Sequence, residues 1–181
     1  MFEISLHILD VMQNSIRADA TQISVTVSED PAADRLTVTV ADNGCGMDEK
    51  TAASAADPFY TTRKTRRVGL GLSLLKAAAE GTGGSFALTS QKGRGTIVTV
   101  CFGYHHIDRQ PLGDMGQTIA AALMGNPQLQ IIYRHSIGGQ AFCLQTRILE
   151  KALHANFAEP CGAARLADFI TEQIQEISKG R

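Results

Sequence analysis

The sequence predicts an α+β fold, and three observations carry that prediction. Short segments alternate apolar and polar residues with a period of two, and they arrive as adjacent pairs joined by turns. Longer segments place apolar residues at three- and four-residue steps, as helices do. Two glycine-rich turns, Asp42-Asn43-Gly44-Cys45-Gly46-Met47 and Gly69-Leu70-Gly71-Leu72-Ser73, stand where a strand gives way to a loop and a loop to a helix.

The first helix is expected over residues 6–18. Leu9, Met12 and Ile16 mark one face, and His7, Asp10, Asn14 and Arg17 recur on another. Ile23, Val25 and Val27, then Leu36, Val38 and Val40, read as two half-buried strands, with Pro31 in the turn between them. The second strand runs into Asp42. Asp48 caps a short helix that Pro58 ends, and residues 61–68 show no periodicity and read as a mobile loop. A helix follows over residues 70–80. Strands over 85–90 and 96–102 are joined by the hairpin turn Lys92-Gly93-Arg94-Gly95.

The pattern shifts near Gly103. Residues 104–113 read as a polar connector, and Asp114 caps a helix over 115–124. Strands over 129–136 and 140–148 turn at Gly138-Gly139, and the final helix, over 163–178, carries the stripe Leu166, Phe169, Ile170, Ile174 and Ile177. That stripe is expected to pack on the preceding hairpin. Two domains are therefore expected, 1–103 and a C-terminal helix-hairpin-helix extension over 104–181. The extension either lengthens the first sheet or, as preferred, forms a small lobe packed against it.

Composition excludes several function classes. The net charge is −1, and no Lys/Arg run forms a basic stripe, so neither nucleic acid nor membrane is an expected partner. Four scattered cysteines without a CxxC pair fit a reducing compartment better than a disulfide framework or zinc site. With no signal-peptide pattern and no long apolar run, a cytoplasmic location is expected.

The residues of the first hundred positions suit a nucleotide. The Asp42 carboxylate can accept the exocyclic amine of adenine, where guanine would present an unpaired carbonyl at a cost of about 1–3 kcal/mol. Gly44 and Gly46 let the backbone approach a flat base. Gly69 and Gly71 open a helix whose free N–H groups favour phosphate, and Thr61, Thr62, Arg63 and Lys64 can add hydroxyls and cations. Asn14 offers a neutral oxygen to Mg²⁺, and Asp10, one turn earlier, can hold a water or a hydroxyl.

Asp10-x-x-x-Asn14, Asp42-x-Gly44-x-Gly46, Asp57-Pro58-Phe59-Tyr60-Thr61-Thr62 and Gly69-Leu70-Gly71-Leu72-Ser73 resemble the N, G1, F and G2 boxes of the GHKL superfamily. Gly83-Gly84 followed by Gly93-x-Gly95-Thr96 is similar to the catalytic domain of sensor histidine kinases. The resemblance covers about residues 4–102. It implies the Bergerat fold, a two-layer α/β sandwich with a mixed, mostly antiparallel sheet and helices on one face, binding ATP and Mg²⁺. It also implies a nucleotide-contacting set of Asn14 (with the metal), Asp42, Gly44, Gly46, Met47, Phe59, Thr61, Thr62, Lys64, Gly69, Leu70, Gly71, Leu72 and Thr96.

Three departures shape the expected function. Arg67-Val68 stands where kinase-like lids carry another glycine before the G2 pair. Asp10 sits where gyrase-type, MutL-type and anti-sigma members carry a catalytic Glu and sensor kinases often carry Asn. No phospho-acceptor helix pair precedes the first box, so a stand-alone domain is expected rather than a complete sensor kinase. The leading expectation is an ATPase or protein kinase with Asp10 as its catalytic residue. The alternative is a non-catalytic, ATP-gated module that controls a protein partner through its C-terminal region. A homodimer is a further expected assembly.

Overall fold

The structure, a computed structural model, describes residues 3–56 and 70–179. In chain order the described elements are α1 (Ile4–Arg17), β1 (Gln22–Asp30), β2 (Arg35–Asp42), α2 (Glu49–Ser54), α3 (Leu70–Glu80), β3 (Ser85–Gln91) and β4 (Gly95–Gly103). The connector leads to α4 (Met115–Leu123), β5 (Gln130–Ile137), β6 (Gln140–Gln145), α5 (Thr146–Leu153) and α6 (Pro160–Lys179). The strands form one six-stranded sheet in the order β3-β4-β2-β1-β5-β6. Every neighbouring pair is antiparallel except β1 with β5. This is the expected mixed, mostly antiparallel sheet with its helices on one face.

The period of two does the sorting. Ile23, Val25 and Val27 on β1 and Leu36, Val38 and Val40 on β2 are buried, while the residues between them stay half-exposed. On β4, Val98, Val100 and Phe102 join the same core. The helices close that core with Ile4, Ile8, Val11 and Met12 of α1, Leu75 and Ala79 of α3, Met115 and Ile119 of α4, and Leu166 and Ile170 of α6.

The buried stripe of α1 is rotated from the one expected. Leu9 and Ile16 pack only partly against the core, whereas Ile4, Ile8, Val11, Ser15 and His7 are buried. Ile4, Ile8, Val11 and Met12 form a stripe at helical spacing whose burial in the core sets the rotation of α1. The connector runs back over its first turn, with Ile4 N–H donating to the Pro111 carbonyl (3.0 Å) and Ser5 N–H to that of Leu112 (2.8 Å). That covers a surface which periodicity alone assigns to water.

The C-terminal region corrects the preferred picture of a separate lobe. β5 pairs in parallel with β1 from Gln22↔Gln130 to Glu29↔Ile137, so the β5–β6 hairpin extends the sheet. A second correction concerns residues 146–148, expected as strand, which begin α5. There the Thr146 hydroxyl, itself buried, accepts the Ile131 N–H (3.0 Å). α6 lies mainly along α4, and also on β5 and β6. Its close approach needs small residues: a side chain at Gly116 would strike the Ala167 backbone, and Ala120, Ala163 and Ala167 pack together beside it.

One polar network ties the added strands to the first hairpin. Tyr133 and His135 are fully buried, and Glu29 is nearly so. Burial, reinforced by the charges of Glu29 and Asp114, raises the Tyr133 pKa well above its ordinary value, so its hydroxyl keeps its proton and donates to His135 Nδ1 (2.8 Å). The other ring nitrogen then donates to Glu29 Oε1 (2.9 Å). His135→Ala deprives the Tyr133 hydroxyl of this acceptor and Glu29 of a buried donor. It is expected to lower stability by about 2–4 kcal/mol, read as a shift in urea midpoint at unchanged slope.

Candidate functional site

The site is built where β2 ends. Asp42 is half-buried, and its carboxylate is fixed from three directions. Ser15 Oγ, on α1, donates to Oδ2 (2.7 Å). Oδ1 receives the N–H groups of Gly44 (2.9 Å), in the turn, and of Thr96 (3.3 Å), on β4. A carboxylate has about four acceptor positions, so one remains for a donor on a ligand. Ser15 was not legible as a site residue. It also donates to the Val11 carbonyl (3.3 Å), the local bond expected of any helical serine, and nothing in the sequence links it to Asp42.

The turn after Asp42 is stitched on both sides. Cys45 N–H donates to the Ala18 carbonyl at the end of α1 (2.8 Å), and its own carbonyl accepts Gly93 N–H from the β3–β4 turn (2.7 Å). Met47 N–H reaches Ser90 Oγ (2.8 Å), which also bonds with Thr96 Oγ1 (2.9 Å). Glycine is needed at two positions for lack of room. A Cβ on Gly44 would stand 2.6 Å from the Ala18 carbonyl oxygen. Gly46 has φ +61° and would drive a side chain into the Gln91 carbonyl. Cys45 is exposed and points out of this packing.

Asp10 and the second glycine turn come together. An ideal Cβ on Gly71 would lie 3.2 Å from Asp10 Oδ2, so the Asp10 carboxylate abuts the first turn of α3. The first turn of a helix carries free N–H groups and the positive end of its dipole. Leu72, at the same end, packs partly against the core. Leu70 is the first described residue of the helix. Asn14 is exposed, one turn along α1 from Asp10, and its Oδ1 accepts Arg17 Nη1–H (2.9 Å). The amide oxygen has a second lone pair. The expected site residues Phe59, Thr61, Thr62, Lys64 and Gly69, and the Arg67-Val68 pair, lie outside the described residues.

His7 departs from expectation. Its ring is 2 % exposed, with Nε2–H donating to Gln110 Oε1 (3.2 Å) and Nδ1 buried without a hydrogen-bond partner. Burial lowers its pKa below the ordinary 6.5, although the Gln110 bond opposes the shift. The unfolded chain therefore takes up a proton near 6.5 that the folded chain refuses until lower pH. The stability His7 contributes is complete above that value and is lost as pH falls toward the folded pKa. His7→Leu is expected to flatten the loss of stability between about pH 7.5 and about pH 5, measured by urea unfolding at each pH. Gly46→Ala is expected to destabilise by at least about 1 kcal/mol in the same assay, because the residue would keep a positive φ and also displace the Gln91 backbone.

Comparison with known proteins identifies the family. The profile of the family described as histidine kinase-, DNA gyrase B- and HSP90-like ATPase matches residues 3–105. The sensor protein kinase FleS of Pseudomonas aeruginosa is 41 % identical over 93 residues, which span 51 % of this chain and 23 % of that protein. The sensor histidine kinase ZraS of Escherichia coli is 32 % identical over 108 residues, 59 % of this chain and 23 % of that one. This chain thus spans about a quarter of the length of these relatives. Among solved structures, the N-terminal domain of a DNA repair protein superposes with a TM-score of 0.56 at 17 % identity, over 79 % of this chain and 52 % of that one, a likeness of fold. The chain belongs to the GHKL superfamily and carries its ATP-binding, histidine kinase-like ATPase domain.

Proposed function

We propose that this protein is an ATP-Mg²⁺-dependent enzyme of the cytoplasm, an ATPase or protein kinase, in which Asp10 is the catalytic base. The observation that carries this reading is the Asp10 carboxylate set against the first turn of α3, at Gly71. A base and a helix N-terminus side by side are what an attacking hydroxyl and a phosphate require.

The residues fit the ligand. Asp42 keeps one acceptor position after its three internal donors, which suits the adenine amine, and Gly44 and Gly46 leave a surface without Cβ atoms beside it. Met47 and Thr96, held together through Ser90, border the same turn. Asn14 would hold Mg²⁺ through its amide oxygen after exchanging or sharing the Arg17 donor. Among the described residues no cluster of three His, Cys, Asp or Glu forms a protein cage, so the ion would depend on phosphate oxygens and water for its other ligands. Bound ATP-Mg²⁺ supplies a transferable terminal phosphoryl group. Asp10 accepts the proton of the attacking hydroxyl, from water or from a partner's side chain. Leu70, Gly71 and Leu72 present α3 to the phosphates, and Phe59, Thr61, Thr62, Lys64 and Gly69 are assigned to the same end by their place in the motifs.

A second reading, a nucleotide-gated binding module, draws support from the connector. Gln110 holds His7 one turn from Asp10, and beyond the connector the chain re-enters the sheet beside β1. A change at α1 would therefore be felt by the C-terminal region, the proposed surface for a protein partner.

Calorimetric titration with ATP, ADP and GTP, with and without Mg²⁺, is expected to show adenine selectivity and metal dependence. Asp42→Asn is expected to weaken ATP binding by roughly tenfold or more; unaltered affinity would remove the pocket assignment. Phosphate release is expected to fall by about 10²–10⁴-fold in Asp10→Asn with ATP affinity nearly retained. Turnover unchanged by that substitution would leave the gated module as the surviving reading.

A further inference from the structure

Among the described residues, the helices cover one face of the sheet, and the other face is open. Its side chains stand in three rows of six across the strands. One row reads Thr89, Ile97, Ala41, Ser24, Ile132 and Gln145. The other two hold serine, threonine, alanine, cysteine and a single charged residue, Arg134. None of these side chains is buried, and none belongs to the hydrophobic core. A soluble surface carries about 25–35 % charged residues, so eighteen positions would ordinarily hold roughly five. A face of mostly short side chains with a single charge and with Ile97 47 % exposed suits coverage by another surface.

We propose that this face docks on the same face of a second copy of the chain, about a two-fold axis that runs along the strands between β1 and β2. The positions are self-complementary about that axis. Ile97 on β4 and Ile132 on β5 lie in one row at equal distances from the midline, so each meets the other across the axis. At the rim beyond the rows, Arg35 on β2 and Asp30 on β1 are directly paired neighbours, both exposed. The rotation sets each Arg35 against the other copy's Asp30, giving two ion pairs. Arg134 falls opposite Thr99, a hydroxyl that can accept its N–H. A two-fold axis across the strands would instead set Arg134 against Arg134. At strand spacings of about 4.8 Å and a rise of about 3.3 Å per residue, the rows span roughly 29 Å by 20 Å, or about 600 Å² per copy. About 1,200 Å² over both copies is the lower end of specific interfaces, consistent with a reversible dimer. Nothing in this inference depends on nucleotide.

Sedimentation velocity of the full chain over roughly 5–200 µM is expected to show the mean mass rising from one chain toward two, with a dissociation constant of about 10⁻⁵ M. Ile97→Asp alone and Ile132→Lys alone are each expected to remain monomeric across that range. The double variant is expected to dimerise again. Within one chain the two positions are three strand spacings apart, about 14 Å, so the introduced carboxylate and ammonium can pair only between copies. Circular dichroism melts confirm that each variant is folded. A wild-type chain that stays monomeric at about 200 µM overturns the proposal and assigns the face to a different partner. Association untouched by either single change overturns the choice of face, and a double variant no better than the singles overturns the axis.

Discussion

Everything at the site hangs on how one carboxylate is held. Asp42 closes β2, yet its three internal donors come from α1, from the turn it begins, and from β4. A half-buried carboxylate would be costly without such partners. With them it becomes a fastener that sets the helix layer, the turn and the sheet in one relative position. The glycines follow from this constraint. Once the turn is drawn against Ala18 on one side and the Gln91 backbone on the other, no space is left for Cβ atoms at Gly44 or Gly46. The carboxylate that the motif assigns to ligand recognition is therefore also a structural one. An acceptor position held rigid in this way costs less entropy to engage than a mobile one.

The other end of the site depends on α1. Ser15, Asn14, Asp10 and His7 occupy successive turns of one helix, so its rotation about its own axis decides what each of them does. Ser15 must face Asp42, and Asp10 must face Gly71. Ile4, Ile8, Val11 and Met12, locked in the core, set that rotation, and the connector's bonds to Ile4 and Ser5 hold the first turn. Core packing and site geometry are here the same constraint.

What was legible in the sequence divides along the reach of each interaction. The β1–β2 and β3–β4 hairpins and the helix caps at Asp48 and Asp114 rest on contacts local in the chain, and their residue patterns declare them. The glycine turns and Asp42 were readable because their order in the chain is itself a pattern. The pairing of β5 with β1 joins residues more than a hundred positions apart and leaves no local trace, so a separate lobe was the natural expectation. Phe142, Leu144 and Ile148 stand at even-numbered steps from one another, which reads as strand. A helix forms from Thr146 because its hydroxyl meets Ile131, and Glu150 accepts the Phe157 N–H (2.9 Å). Ser15 and His7 were missed for the same reason: their partners, Asp42 and Gln110, are distant in sequence.

Placing β5 beside β1 also changes what the C-terminal region can be. An appended lobe could move against the nucleotide domain as a body, but a strand in parallel register with the central sheet cannot slip without breaking its ladder. The Tyr133–His135–Glu29 network deepens this restriction. A one-residue slip would turn Tyr133 and His135 to the open face and leave Glu29 without its buried donor. Any signal between the Asp10 end and the C-terminal helices must then travel as a shift of α1 and α4 over a fixed sheet. α1 and α4 pack directly on one another, so that contact joins the two regions.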